Sequence, residues 1–285
     1  MTTISIIIPV FNEGKSIQEC LLSLDKQNIS GFDVIIVDDG STDDTLKKVS
    51  DLNIRNFKLD ILKQSHLGPG VARNLGAENA TGDILVFVDA DMTFEVDFIY
   101  KLINPIINKE TIGTFSKEEF VSNKDNIWSK CWNINKNLPI DRMHSVDYPN
   151  KQKVFRAILK SEFIKSGGFQ PIGYIDDYTV SESLGVEATA VLGAIFYHRN
   201  PESFSEVFNQ ARWIGKSEYK RRKVKNEFIM KLLSLVRFSL PLSLSFGIKK
   251  SIERKLPFFV IFRLVYDFAI EVSLIQSLFS NNLYK

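Results

Sequence analysis

Short apolar runs alternate with stretches of helical periodicity along the first hundred residues. The runs ISIIIPVF, FDVIIVDD, KLDILKQ and GDILVFVDAD predict four strands. The stretches between them carry turn residues followed by apolar residues at helical spacing, which predicts a helix after each of the first three strands. Strands that are apolar on both faces and alternate with helices indicate a largely parallel sheet covered on both sides. The predicted fold class is therefore α/β.

Carboxylates follow several of these strands. In open parallel sheets, ligands bind at the carboxyl ends of the strands, and here those ends carry Glu13, Asp39, Asp89 and Asp91. Side chains alternate along an extended backbone, so Asp89 and Asp91 are expected on the same side. Such a pair could bind a hard divalent cation together with phosphate oxygens. Capping of the following helix is the alternative for both carboxylates.

Composition narrows the class of protein. The 285 residues are 44% apolar, enough for one large domain with or without an appendage, and the formal net charge of +2 does not indicate a nucleic-acid partner. The two cysteines form no C-x-x-C pair, which argues against a disulfide framework or a structural zinc site. The N-terminal apolar run is too short for a signal peptide. We therefore expect the protein in the cytoplasm.

Four stretches together resemble the family 2 glycosyltransferases of the GT-A fold: SIIIPVFNEGKSI, VIIVDDGSTDDT, GPGVARNLGAENATGDILVFVDADM and GGFQPIGYIDDYTVSESL. The resemblance covers roughly the first two hundred residues. It implies the GT-A fold, with a mostly parallel central sheet flanked by helices, followed here by C-terminal amphipathic helices. It also implies inverting transfer of a sugar, expected to be a hexose, from a UDP- or GDP-sugar with the help of Mn²⁺ or Mg²⁺.

The resemblance assigns donor-binding roles to six residues, one of which, Asp89, would also lie near the metal. Pro9, Phe11 and Glu13 would border the nucleoside, and Asp39 would accept a hydrogen bond from the base, with a simple turn carboxylate as its alternative. Arg73 would face the nucleotide from a helix start, unless it is an ordinary surface arginine.

The metal site and the base come from the same resemblance. Asp91 would be the principal metal ligand, Asp89 would lie near the ribose and the metal, and His198 would complete the site unless it is structural. Asp177 would be the catalytic base, which removes the proton of the acceptor. Asp176 stands where relatives have Glu, a side chain longer by one methylene, and would help to position the acceptor. The alternative is that Asp176 and Asp177 are acidic residues in the first turn of a helix, where the helix dipole favours negative charge.

The segment FNQARWIG resembles an acceptor-side motif of processive synthases, with Asn209 in place of Gln. Arg212 and Trp213 could flank the acceptor, or Trp213 could pack its helix. We expect transfer of a single sugar. For Trp128 and Trp132, packing is favoured over sugar stacking.

We expect a catalytic domain over residues 1–215, with a donor-binding half at about 1–115 and an acceptor half at about 116–215, and a basic, apolar helical tail over 216–285. Two apolar stretches of the tail approach the length of a membrane span but carry charges. We expect them to lie on the inner face of the cell membrane, which would suit a lipid-linked acceptor such as a polyprenyl phosphate or oligosaccharide. Packing as ordinary core and a homodimer interface are the alternatives.

Two other functions are compatible with the residues. A sugar nucleotidyltransferase would use a similar fold, although its glycine-rich phosphate loop is missing after the first strand, where PVFNEGKS has one glycine. A non-catalytic, membrane-associated nucleotide-binding protein is the other possibility, and Asp91 and Asp177 argue against it.

Overall fold

The computed structural model describes residues 2–145, 147–171, 176–217 and 227–279. These residues form two compact units. The first unit is built from residues up to 120, most of 144–171, and 176–198; the second is built from 121–143 and the described residues from 199 onward. The predicted domain boundary at 215/216 adjoins residues outside the described ranges and stays a prediction.

A sheet of eight strands forms the centre of the first unit. Its strands in chain order are β1 (Ile4–Val10), β2 (Phe32–Asp38), β3 (Lys58–Lys63), β4 (Ile84–Phe87), β6 (Gly113–Ser116), β8 (Lys151–Gln152), β9 (Ala157–Leu159) and β10 (Ala188–Val191). They lie in the order β3-β2-β1-β4-β9-β6-β10-β8 across the sheet. The pairs β1/β2, β1/β4, β2/β3 and β6/β10 are parallel, whereas β9 is antiparallel to β4 and β6, and β8 to β10. The four strands predicted from the apolar runs are all present.

A second, three-stranded sheet has the order β5-β11-β7. It consists of β5 (Met92–Phe94), β7 (Glu119–Val121) and β11 (Phe196–His198). Strand β11 is antiparallel to β5, with His198 opposite Met92. This pairing brings the end of β11 beside the carboxylates that follow β4.

Helices cover the central sheet on both faces. They are α1 (Ile17–Asp25), α2 (Thr45–Ser50), α3 (Pro69–Asn79), α4 (Phe98–Ile107), α6 (Lys160–Ser166) and α7 (Thr179–Leu184), with a 3₁₀ turn at Asp176–Tyr178. Alternate residues of β1 belong to two separate cores, since Ile6 and Ile8 pack with α1 and α4, whereas Ile7 packs with α3 and α6. This is the α/β architecture that the sequence predicts.

Helices α5 (Ile127–Asn135), α8 (Phe204–Ser217), α9 (Glu227–Phe238), α10 (Leu240–Arg254) and α11 (Phe259–Phe279) belong to the second unit. Helix α11 packs along α8 and α10. Trp132 is 2% exposed in the core of this unit, and the ring of Trp128 meets that of Phe258 edge-on, with centroids 4.8 Å apart. Both tryptophans therefore pack, as the sequence favours.

Two of the three charges of the second apolar stretch, Arg263 and Asp267, lie inside this unit. Arg263 donates from Nε to Oδ2 of Asp267 at 2.7 Å, and Ser243 donates to the same oxygen at 2.5 Å. Asp267 is 1% exposed, so α11 is a core helix of the second unit. Within the ranges given above, no single helix is long and apolar enough to cross a membrane, but α9 and α10, bent by 53° at their junction, together reach that length and composition.

Candidate functional site

Arg73 is the centre of a carboxylate cluster in the first unit. It lies one turn into α3 and is only 7% exposed, which excludes the surface-arginine alternative. Its Nη2 donates to Oδ1 of Asp89 at 2.7 Å and its Nη1 to Oδ1 of Asp177 at 3.0 Å, while Asp176 Oδ1 is 3.6 Å from Nη1. Burial alone would lower the pKa of the guanidinium, but the three carboxylates outweigh it and raise that pKa. Arg73 therefore stays a buried cation that holds these carboxylates together.

Asp89 is bound by a second cation, Arg156, which sequence reasoning missed. Arg156 donates from Nη1 to Oδ2 of Asp89 at 3.2 Å, and its guanidinium lies over the ring of Phe196 at 5.6 Å. Burial alone would raise the pKa of Asp89, but the charges of Arg73, Arg156 and His198 hold that pKa well below its ordinary value. The only signal for Arg156 in the sequence is a charge within the apolar run VFRAIL.

The helix-capping alternative for the Asp-x-Asp carboxylates is wrong. Helix α4 begins at Phe98 and its N-cap residue is Asp97, not Asp89 or Asp91. The two carboxylates instead follow β4 in a turn that leads into β5, where the backbone N–H of Met92 donates to the carbonyl of Asp89 at 3.2 Å. They are consequently available for contacts outside the helix.

Asp176 and Asp177 differ in exposure although they are neighbours. The side chain of Asp176 is 5% exposed, whereas that of Asp177 is 36% exposed and contacts Arg73 through one oxygen. Burial and the charge of Asp177 raise the pKa of Asp176 to about 7, against the opposing effect of Arg73. Asp176 also packs over the start of α3, because a Cβ added at Gly70 would lie 2.5 Å from its Oδ2.

Asp91 contacts His198 across the turn that follows β4. Its Oδ2 is 3.0 Å from Nε2 of His198, whose Nδ1 is 2.6 Å from Oε1 of Glu119. His144 Nε2 contacts the other oxygen of Glu119 at 2.8 Å. Sequence reasoning missed both Glu119 and His144, since neither stands in a recognisable motif.

The residues around Asp91 fit a divalent cation as a partial ligand set. Among the residues with described positions, no three His, Cys, Asp or Glu side chains form a group that could hold a metal by themselves. Mg²⁺ commonly binds one or two carboxylates and takes its remaining oxygens from substrate phosphates and water. Asp91 and His198 suit that pattern, whereas Asp89 is already engaged by two arginines. The metal roles of the three residues stay predictions.

The residues predicted to border the nucleoside follow β1 or lie within it. Pro9 is paired with Val37 in the parallel register of β1 and β2. Phe11 is 40% exposed, and its ring stacks on that of His66 with centroids 4.0 Å apart. Burial, together with the charge of Asp91, raises the pKa of Glu13 to about 7, although Ser16 donates to its Oε2 at 2.7 Å.

Asp39 is buried and contacts the loop before α3. Its Oδ1 accepts from the backbone N–H of Leu67 and from Gln64 Nε2, both at 2.7 Å, and its Oδ2 accepts from the N–H of Gly68 at 2.9 Å. His66 Nδ1 is 3.1 Å from Oδ2. A carboxylate has about four acceptor sites, so a base would share Asp39 with this loop. Its base-binding role stays a prediction.

Arg212 and Trp213 lie on α8 in the second unit. The backbone carbonyl of Arg212 accepts a hydrogen bond from the hydroxyl of Ser273, which ties α8 to α11. Their acceptor-side role stays a prediction.

Sequence comparison identifies relatives of this chain. A family model described as glycosyl transferase family 2 matches residues 5–169. An uncharacterised glycosyltransferase of Haemophilus influenzae is 26% identical over 234 residues, which cover 79% of this chain and 90% of that protein. The poly(ribitol-phosphate) beta-N-acetylglucosaminyltransferase TarS of Staphylococcus aureus is 39% identical over 115 residues, 39% of this chain and only 18% of TarS.

Solved structures of similar fold include two glycosyltransferases with bound nucleotide sugars. The TarS fragment 1-349 in complex with UDP-GlcNAc superposes with a TM-score of 0.55 at 18% identity, covering 96% of this chain and 92% of the fragment. The mannosyltransferase PcManGT of Pyrobaculum calidifontis, in complex with GDP-Man and Mn²⁺, gives a TM-score of 0.61 at 18% identity, covering 96% and 87%. At this identity the likeness shows the fold alone. Because the family model covers more than half of the chain, this protein belongs to glycosyl transferase family 2, and its α/β architecture is the GT-A fold.

Proposed function

We propose that this protein is an inverting hexosyltransferase that moves one sugar from a UDP- or GDP-sugar to a lipid-linked acceptor, with Mn²⁺ or Mg²⁺ bound at Asp91. The observation that carries the proposal is the Arg73 cluster. One buried cation contacts both Asp89, from the Asp-x-Asp segment, and Asp177, at the base position. A donor-side and an acceptor-side carboxylate are thereby fixed to the same group.

On the donor side, Asp91 and His198 would hold the cation, and Phe11 and Glu13 would border the nucleoside. The bound cation would neutralise the diphosphate and stabilise it as it leaves. The nucleotide complexes of TarS with UDP-GlcNAc and of PcManGT with GDP-Man support a nucleotide sugar as the donor. The Mn²⁺ in the PcManGT complex supports a divalent cation.

On the acceptor side, Asp177 would accept the proton of the attacking hydroxyl. The new bond forms between that oxygen and the anomeric carbon, on the face opposite the diphosphate, while the bond from carbon to diphosphate breaks. Arg73 binds Oδ1 of Asp177 and thereby fixes the orientation of the carboxylate. The exposure of Asp177, 36% against 5% for Asp176, favours Asp177 as the residue that meets the acceptor.

Membrane attachment is proposed from the surface of the second unit. Helices α9 and α10 expose ten large apolar side chains, each at least 41% exposed: Ile229, Leu232, Leu233, Val236, Leu240, Leu242, Leu244, Phe246, Ile248 and Ile252. We call this set the apolar surface. Water-soluble monomers rarely expose so many large apolar side chains within two adjacent helices, and such surfaces usually mark a partner or a membrane.

The charge of the same region favours a membrane as the partner. Residues 216–255 contain twelve Lys or Arg and three Glu, a net charge of +9, so the rest of the chain carries −7 to give the total of +2. Basic residues close in the sequence to an apolar segment suit an anionic lipid surface. We therefore place the protein at the cytoplasmic face of the cell membrane, where a lipid-linked acceptor such as a polyprenyl phosphate would be available.

Vesicle sedimentation tests the attachment. The full-length chain should bind vesicles that contain anionic phosphatidylglycerol, and the double variant Val236→Glu with Leu240→Glu should bind at least tenfold more weakly. Ile164→Glu, at a 65% exposed apolar residue of α6 in the first unit, is the matched control and should bind as wild type. Concentration-dependent dimers without vesicle binding would overturn the membrane proposal and assign the apolar surface to a second copy.

Calorimetry tests the donor site. UDP, GDP and their common sugar conjugates are titrated into the protein, each with Mn²⁺, with Mg²⁺ and with EDTA. Metal-dependent binding of one nucleotide class would support the proposal and identify the donor class. A folded protein that binds none of them would overturn the donor site. A protein that binds a nucleotide sugar but releases no nucleoside diphosphate in the presence of polyprenyl phosphates would favour the non-catalytic alternative.

A further inference from the structure

Glu119 lies between two of the three histidines of the chain. It is the first residue of β7 and is 6% exposed. Its Oε1 is 2.6 Å from Nδ1 of His198 and its Oε2 is 2.8 Å from Nε2 of His144. Both oxygens of this buried carboxylate thus lie at hydrogen-bond distance from an imidazole nitrogen.

These contacts fix the orientation of the His198 ring. Its Nδ1 faces Glu119 and its Nε2 faces Asp91 at 3.0 Å, so each ring nitrogen lies against a carboxylate oxygen. With a cation bound beside Asp91, Nε2 would present its lone pair to the cation and Nδ1 would donate to Glu119, because an ionised carboxylate only accepts hydrogen bonds. A histidine that binds a metal usually donates its other N–H to a carboxylate or carbonyl, which fixes the ring orientation and the tautomer.

His144 is in turn held by a ring contact. Its imidazole stacks on the phenol ring of Tyr148, with centroids 3.9 Å apart and an angle of 11° between the planes. This stacking orients Nε2 of His144 toward Glu119. The chain of contacts therefore runs from Tyr148 through His144 and Glu119 to His198.

We propose that Glu119 is a positioning residue, which holds His198 with Nε2 directed at the cation site beside Asp91, and that His144 holds Glu119 in place. The proposal rests on the proposed function, because it requires a cation at Asp91 and His198. Glu119 itself does not touch the cation. It acts through His198, and this indirect action gives the proposal its sharpest test.

The test is a double-mutant cycle on Mn²⁺ affinity. Binding of Mn²⁺ is followed by electron paramagnetic resonance for wild type, Glu119→Gln, His198→Ala and the double variant, each with UDP and with GDP. Glu119→Gln should weaken Mn²⁺ binding about 10- to 100-fold, the usual effect of losing such a partner. In the His198→Ala background, Glu119→Gln should have no further effect. Glu162→Gln, on the surface of α6, is the control and should bind as wild type.

Two further measurements separate positioning from a merely structural role. With Mg²⁺ and UDP present, nitrogen NMR should show His198 as a single species with the hydrogen on Nδ1 in wild type, and as a mixture of species in Glu119→Gln at the same Mg²⁺ concentration. His144→Phe keeps a ring against Tyr148 but removes the donor to Glu119, and it should weaken Mn²⁺ binding while the melting temperature in EDTA stays near wild type.

The outcomes distinguish this proposal from the metal site on which it rests. Wild-type Mn²⁺ affinity in His198→Ala would overturn the metal site and this proposal with it. Weakened binding in His198→Ala, with unchanged binding in Glu119→Gln, would overturn only the role of Glu119. Additive losses in the double variant would also overturn it, because Glu119 would then act independently of His198.

Discussion

Arg73 donates a hydrogen bond from Nη1 to Oδ1 of Asp177 at 3.0 Å, although 104 positions separate the two residues in the chain. The same guanidinium binds Asp89 through its other terminal nitrogen. One cation in α3 therefore connects the carboxylate that follows β4 with the exposed carboxylate before α7. This arrangement makes separate predictions for binding, transfer, stability and pH dependence.

Replacement of Asp177 should separate transfer from binding. Asp177→Asn removes the carboxylate that we propose as the proton acceptor and keeps a similar shape, so we expect sugar transfer to fall by about 100-fold or more while nucleotide binding stays near that of wild type. Asp91→Ala should instead weaken metal-dependent nucleotide binding. Turnover assays and calorimetry on both variants check this division of roles. Equal losses of binding in the two variants would contradict it.

Arg73 should be a major contributor to stability. Arg73→Met keeps much of the side-chain volume but leaves buried carboxylates without their cation, which typically costs about 3–5 kcal/mol. Urea unfolding of the variant measures this loss. Lys58→Met, in a surface ion pair with Asp60 whose Lys58 side chain is 75% exposed, is the control and should leave the free energy of unfolding unchanged. A fully stable Arg73→Met variant would show that the cluster does not depend on its cation.

The carboxylate of Asp176 should make stability fall as the pH rises. Because burial and Asp177 raise its pKa in the folded protein from about 4 to about 7, the folded state holds a proton that the unfolded state releases between these values. The free energy of unfolding then decreases with increasing pH across this window, by at most about 1.4 kcal/mol per pH unit. Asp176→Asn cannot ionise and should lose this contribution.

Denaturant unfolding at pH 4.5, 5.5, 6.5 and 7.5 compares Asp176→Asn with wild type. The free energy of unfolding of Asp176→Asn minus that of wild type should increase as the pH rises. It should level off above about pH 7, where the pKa of Asp176 in the folded protein lies. Glu13 also has a raised pKa, to about 7, but it is present in both proteins and its contribution cancels. A constant difference across the series would contradict the raised pKa of Asp176.

Asp176 lies so close to Gly70 that we expect a side chain at position 70 to displace it. An added Cβ would lie 2.5 Å from Oδ2 of Asp176 and 3.2 Å from its Cβ. Alanine favours a helix by about 0.5–1 kcal/mol over glycine, yet Gly70→Ala should lower transfer because Asp176 and Asp177 must move. Turnover of Gly70→Ala is compared with that of Glu78→Ala, an exposed position of α3. Wild-type turnover in Gly70→Ala would show that the position of Asp176 is not needed.

Local patterning was sufficient to predict the α/β architecture of the first unit and four of the eight strands of its central sheet. The apolar runs at β1, β2 and β4 are buried on both faces, and such runs fit only strands that helices cover on two sides. The sequence did not indicate β9, the three-residue antiparallel strand between β4 and β6. Strands of this length are fixed by their neighbours in the sheet and leave little periodicity to read.

The sequence by itself determined the α/β architecture and the family, because the apolar runs and the motifs of the family resemblance are both local in the chain. Only the tertiary structure decided the partners of the candidate site residues. Arg156 contacts Asp89, which lies 67 positions away in the chain. Glu119 contacts His198 across 79 positions and His144 across 25. Charges buried in a folded protein must be paired, and the pairing depends on which strands and turns the chain brings together in space. These pairs therefore cannot be predicted from residues that are neighbours in the sequence.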